Sequence, residues 1–181
     1  MSFRLNLEKS IKNEFIFNRL NFEYTFELLF EALIYVGWAV LLIFILSNPN
    51  NNNNNNKNVY FSFGAILFTI LLFASWFLNY KLLKIEILNP EKDREIIVKL
   101  LKKEFPKFLL TDNGINVLRG KYRGGIFSSG KKLIVIFTEE KILLNLTTYG
   151  RGESNIPFYT FFNYYKLMKI RKKFEENKNI C

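Results

Sequence analysis

Residues 59–80, VYFSFGAILFTILLFASWFLNY, run for 22 positions without a charge and are dominated by Phe, Leu and Ile. As a helix rising about 1.5 Å per residue they would reach roughly 33 Å, enough to cross a hydrocarbon core of about 30 Å. The spacing therefore predicts a transmembrane helix. Toward the amino terminus, residues 28–46 form a second apolar run, interrupted only by Glu31 one turn from its start. Two such runs this close together exceed what the core of a small domain takes up, so the expectation is a two-helix transmembrane hairpin. Glu31 is placed at the boundary, where its side chain can snorkel or pair with a nearby lysine. Trp76 and Tyr80 near one end and Tyr60 near the other fit interfacial aromatic belts.

Between the runs, residues 47–58 contain Pro49 and an unbroken Asn run from Asn50 to Asn56. Polar low-complexity sequence of this kind cannot bury enough apolar surface to fold, and an external loop is expected. The amino-terminal flank carries Arg4, Lys9, Lys12 and Arg19, and the segment beyond the second run opens with Lys81, Lys84, Lys92 and Arg94, whereas the loop has only Lys57. By the positive-inside rule both termini are cytoplasmic, in a multi-pass protein of the plasma (inner) membrane.

Further outward, residues 1–27 form a cytoplasmic segment in which Leu20, Phe22, Tyr24 and Phe26 alternate with polar residues, as do Phe3, Leu5 and Leu7. That period predicts a strand or two joining the carboxy-terminal domain, with an interfacial amphipathic helix as the rival. In residues 81–181, Asn89-Pro90-Glu91-Lys92-Asp93 is a helix start, with a cap, a first-turn proline and acids; the helix should end before Pro106. Asp112-Asn113-Gly114 marks a turn between Phe108–Leu110 and Ile115–Leu118. Lys132–Thr138 and Lys141–Thr148 flank Glu139-Glu140 as a hairpin. Asn155-Ile156-Pro157 opens a last helix to about Glu176. The fold class expected is an α+β membrane protein: the hairpin, plus a small basic domain of antiparallel strands with a helix at its start and an amphipathic helix at its end.

Composition narrows the chemistry. The chain has 26 Lys and Arg against 16 Asp and Glu, a net charge of +10, which favours anionic partners. Part of that excess reflects composition, since Lys supplies 19 of the cations and Asn reaches 22 residues, a mixture that A/T-rich coding produces. There is no His, and the single cysteine is Cys181. Intramolecular disulfides, cysteine metal clusters, Ser-His and Cys-His dyads and nearly every zinc site are excluded on that count. No cofactor, no metal and no catalytic residue is expected.

Gly125 to Lys131 matches seven positions of the phosphate-loop pattern GxxxxGK[ST], but the eighth is Lys132, which begins the apolar run Leu133–Phe137 of a strand. A glycine-rich turn is the better account, and a Ser-Lys pair of Ser128 or Ser129 with Lys131 has only proximity behind it. Lys121, Arg123, Lys131 and Lys132 gather around this turn. The last helix adds Lys166, Lys169, Lys172 and Lys173 on one side of its wheel, with Phe161, Tyr164, Leu167, Met168, Ile170 and Phe174 over much of the remainder. A solvated outer face explains such a pattern. The sharper alternative is a surface for anionic lipid headgroups, where each cation gains about 1 kcal/mol.

This order of parts, with a final strand followed by Asn155-Ile156-Pro157-Phe158 opening a terminal amphipathic helix, resembles small bacterial membrane proteins that carry a two-helix hairpin and a cytoplasmic β domain of the pleckstrin-homology-like kind. The helix from Pro90 departs from their simplest layout. The resemblance implies no catalytic residues. Two functions are expected first: a non-enzymatic, membrane-anchored binding or regulatory module facing the lipid bilayer or a protein partner, or an accessory subunit of a larger transport or secretion complex; a membrane enzyme using a lipid-like substrate is disfavoured by the missing His and Cys chemistry. Nucleic acid is the less favoured polyanion.

Overall fold

The computed structural model describes residues 5–18, 29, 32, 33, 35–38, 40, 41, 44, 55–112, 116–124, 129–150, 155, 156 and 159–178. Five antiparallel strands form one sheet in the order β1-β5-β4-β3-β2: β1 Leu83–Glu86, β2 Leu109–Asp112, β3 Val117–Tyr122, β4 Gly130–Phe137 and β5 Lys141–Tyr149. The β4–β5 hairpin forms its centre, with Leu133 opposite Leu146 and Phe137 opposite Ile142. Its tight turn is held by Thr138, whose Oγ1 donates to the Lys141 carbonyl at 2.7 Å and accepts from the Lys141 amide at 3.0 Å.

Leu133 to Phe137 and Ile142 to Leu146 are buried without a break. Continuous burial means that both sheet faces are covered. On one face, Leu133, Val135, Ile142 and Leu144 pack with Ile97 and Leu101 of α3 (Pro90–Glu104) and Leu167, Ile170 and Phe174 of α4 (Thr160–Lys178). On the other, Ile134, Ile136, Leu143 and Leu82 pack with Ile16, Leu5, Leu7 and Ile11 from the amino-terminal segment. Helix α3 starts where Asn89 caps it, accepting from the Lys92 amide at 3.2 Å, with Pro90 in the first turn. Gly120 stands where the sheet is tightly packed: a Cβ there would lie 2.8 Å from Leu110 Cδ2 and 3.0 Å from Phe108, so those side chains would have to shift.

The described part of the amino-terminal segment packs on the sheet without forming the strand or two expected of it. Its central piece is a seven-residue helix, α1 (Leu7–Asn13), capped by Asn6, and strand-like pairing is reduced to single bridges, Leu5 with Asn18 and Phe15 with Lys81. Ser10, fully buried, ties the loop, donating to the Asn6 carbonyl at 2.7 Å and accepting from the Phe17 amide at 2.9 Å. The alternation at Leu20 to Phe26 lies outside the described residues, as do Glu31 and most of the Asn run. Strand β1 was not foreseen: Leu83–Glu86 follows the apolar run so directly that its short alternation merges with it.

The transmembrane expectation is corrected. Among the described residues, no helix is long and apolar enough to cross a membrane. Helix α2 (Asn55–Tyr80) begins within the Asn run and ends inside the domain. Leu72, Ser75 and Asn79 are buried, and Asn79 is hydrogen-bonded to Thr160 of α4, with Asn145 of β5 donating to its carbonyl. The last six residues of the uncharged run, from Ser75 on, are thus tied to the domain. The portion left before Ser75, residues 59–74, spans about 24 Å, short of a hydrocarbon core of about 30 Å. The membrane-spanning hairpin and the multi-pass plasma-membrane location with cytoplasmic termini fall together. What stands is an α+β fold on a five-stranded antiparallel sheet. The described residues of the first apolar run are helical and touch α2, Tyr35 meeting Phe73 and Trp76, and Trp38 meeting Phe68. Trp76 and Tyr80, expected in interfacial belts, pack edge to face against each other.

Candidate anion-binding surface

Helix α4 buries Thr160, Asn163, Leu167, Ile170 and Phe174, a 3-4-3-4 spacing that lays one stripe on the sheet. The stripe is polar at its start and apolar beyond. Thr160 Oγ1 donates to Asn79 Oδ1 at 2.6 Å and lies 3.4 Å from Ser75 Oγ, while Asn163 Nδ2 donates to Thr148 Oγ1 at 2.9 Å. Beside them Asn145 Nδ2 donates to the carbonyls of Asn79 and Lys81, both at 2.9 Å, satisfying acceptors at the end of α2 that have no helical donor. Asn145 Oδ1 and Trp76 Nε1 are buried without a protein partner.

The outer arc of α4 departs from the simple apolar-versus-basic division. Phe161 and Met168, expected on the apolar face, are 40% and 41% exposed, and Phe162 and Tyr165 reach 73% and 62%. Lys169 and Lys172 share this arc. The reason is geometric: five positions suffice to cover the sheet, so the remaining aromatics have nothing to pack on.

The eight cations selected from the sequence do not form one patch. Lys121 and Lys132 are cross-strand partners on the sheet face opposite the two long helices, with Lys121 Nζ 5.4 Å from the Tyr149 ring centre. Lys131, one residue on, points to the other face. Burial, and next the ammonium of Lys166, push the Lys131 ammonium below the ordinary lysine range. Arg123 is exposed just past β3. On α4, Lys166 lies 4.2 Å over the Phe105 ring and donates to the Glu104 carbonyl at 3.4 Å. Lys173 pairs with the Glu104 carboxylate, which that hydrogen bond holds below the usual glutamate range. Lys169 sits 4.9 Å over the Tyr165 ring, and Lys172 reaches Glu176 only at 4.0 Å. Lys169 and Lys172 are therefore the members of the set that face solvent beside exposed aromatics.

Elsewhere, Lys84, Glu86, Ile87, Leu88, Glu140, Lys141 and Lys178 line an open groove of about 370 Å³. Its charges offset one another: Lys84 meets Glu86 at 3.0 Å, Lys141 meets Glu14 at 2.9 Å, and Lys178 meets Asp93 at 3.9 Å. The phosphate-loop match is closed as well, because Lys131 and Lys132 lie in β4 and not at a helix start; Gly125 to Ser128 lie outside the described residues. Among the described residues no three His, Cys, Asp or Glu gather in a way that could hold a metal ion. Compared with protein families, with curated proteins and with solved structures, the chain finds no match in any of the three. The class defined here is an α+β domain whose five-stranded antiparallel sheet carries a basic, partly aromatic outer helix.

Proposed function

We propose that this chain is a non-enzymatic binding module that engages an anionic partner through the outer face of α4. One observation carries the reading: α4 has six cations against two acids, and Lys169 and Lys172 project from it into solvent. Exposed cations near a polyanion contribute about 1 kcal/mol each, screened by salt. The test is binding of the full chain to heparin, a soluble polyanion, and to phosphatidylserine-containing vesicles, with and without Lys169→Gln and Lys172→Gln. The double variant should bind roughly 10–30-fold more weakly at low salt, with an unchanged melting temperature because exposed charges add little to folding. A wild-type chain that ignores both ligands would sink the proposal.

A second reading, an accessory subunit of a larger assembly, is favoured by the apolar outer side of α2. There Phe63, Ile66, Ile70, Phe73 and Phe77 are each at least half exposed. Contiguous apolar surface on a helix marks an interaction site.

A further inference from the structure

We propose that the anionic partner is a lipid surface, and that the first two turns of α4 dip into it while the lysines behind them hold the headgroups. This rests on the anion-binding reading above and deepens it. At about 100° per residue, Phe161, Phe162, Tyr165, Met168, Lys169 and Lys172 fall within an arc of about 120°. They are also ordered along the axis. The aromatic pair Phe161 and Phe162 comes first, Tyr165 follows about one turn later, Met168 and Lys169 come about two turns on, and Lys172 is last.

Lys169 lies seven residues beyond Phe162, a displacement of about 10 Å along the helix. With the axis of α4 steeply inclined to the surface, that displacement becomes a depth comparable to the roughly 5–10 Å by which apolar side chains enter the headgroup and acyl boundary. A phenylalanine inserted at the tip thus leaves the ammonium groups at headgroup level, where they meet anionic phosphates. Tyr165, with an apolar ring and a polar hydroxyl, stands at the intermediate depth that suits it. A soluble polyanion has no use for Phe162, which is 73% exposed at the leading edge.

Continuity supports the same occupant. The first turn of α4 is bonded to the end of α2 through Thr160, which meets both Ser75 and Asn79, and the half-exposed Phe73 and Phe77 lie two residues along α2 from Ser75 and Asn79 respectively. The aromatic tip of α4 thus lies at its junction with α2, with the cations set back along α4. Such docking is peripheral and requires no helix to cross the bilayer.

The experiment uses the full chain with vesicles of phosphatidylcholine alone or doped with phosphatidylserine, and heparin as the soluble control. The expected result is tighter binding to the doped vesicles, an advantage that Lys169→Gln with Lys172→Gln abolishes. Phe161→Ser with Phe162→Ser should weaken binding to doped vesicles at least about tenfold while leaving heparin binding unchanged. A Phe162→Trp variant should gain an emission component that brominated phospholipid quenches. Attraction through α2 alone would appear equally on neutral and doped vesicles and would be indifferent to the α4 substitutions; that outcome overturns the inference. Binding to heparin without preference for doped vesicles also overturns it but leaves the anion reading standing. Binding to neither removes both.

Discussion

Lys131 is the residue at which charge and burial conflict most directly. It sits on the helix-covered face of β4 with Lys166 near it, and both burial and that neighbour disfavour its charged form. Its folded-state pKa lies below the unfolded value, so below that window both states are charged and the fold bears the whole penalty. As pH rises through the lowered pKa the unfolded chain binds more protons, and stability rises. Lys131→Met should accordingly melt higher than wild type at pH 7, by roughly 1–3 °C, with the gain shrinking as pH approaches the ordinary lysine range. Thermal melts of both proteins from pH 7 to 10 measure this; a constant or widening gap would show that the gain comes from added apolar contact. Nothing in the residue order distinguishes Lys131 from Lys132. Only the strand's alternation sends one under the helices and the other to the opposite face.

Among the elements, the joint of α2, β5 and α4 carries the structure's main polar commitment. Ser75, Asn79, Asn145, Thr148, Thr160 and Asn163 are all buried, and their hydrogen bonds fix where α2 ends and β1 begins. Asn145 is its centre, because its amide serves two carbonyls that have lost their helical donors. Asn145→Ala should destabilise by about 1–3 kcal/mol, as one buried and one half-buried acceptor are left unpaired. A lower urea midpoint with faster amide exchange at Leu82 and Leu83 is the expected outcome, and an unchanged midpoint would mean that water replaces the lost donors. These polar residues were scattered through apolar runs in the sequence and carried no pattern there. The caps and turns around α3 and the β4–β5 hairpin were legible, since their signals are local: Asn89-Pro90 at a helix start, Glu139-Glu140 between two β-branched runs.

For the whole molecule, the question is what meets the apolar side of α2. Ile66 and Ile70 are 54% and 58% exposed, and a contiguous apolar face in water favours association over solvation. Sedimentation velocity on the full chain should show species larger than a monomer, growing with concentration. Ile66→Gln with Ile70→Gln should shift the distribution toward monomer without loss of helical circular dichroism. A wild-type chain that stays monomeric across the concentration range would count against the accessory-subunit reading.

By itself the sequence determined the antiparallel centre of the sheet, the two long helices that cover it, the absence of His and the resulting lack of His-based chemistry, because composition and short-range periodicity act through neighbouring residues alone. It also suggested a membrane span of 22 uncharged residues, and there the structure departs from it. Hydropathy counts side chains without knowing which of them another element will claim. Tertiary structure assigns Ser75 and Asn79 to the domain, brings residues 5–18 across to close the back of the sheet, and divides eight lysines and arginines between separate surfaces. Each of these depends on contacts between residues far apart in the chain, with Thr160 meeting Asn79 and Lys141 meeting Glu14. Such pairings exist only once the chain has folded, which is why the exposed aromatic tip of α4 could be found in the structure and not before.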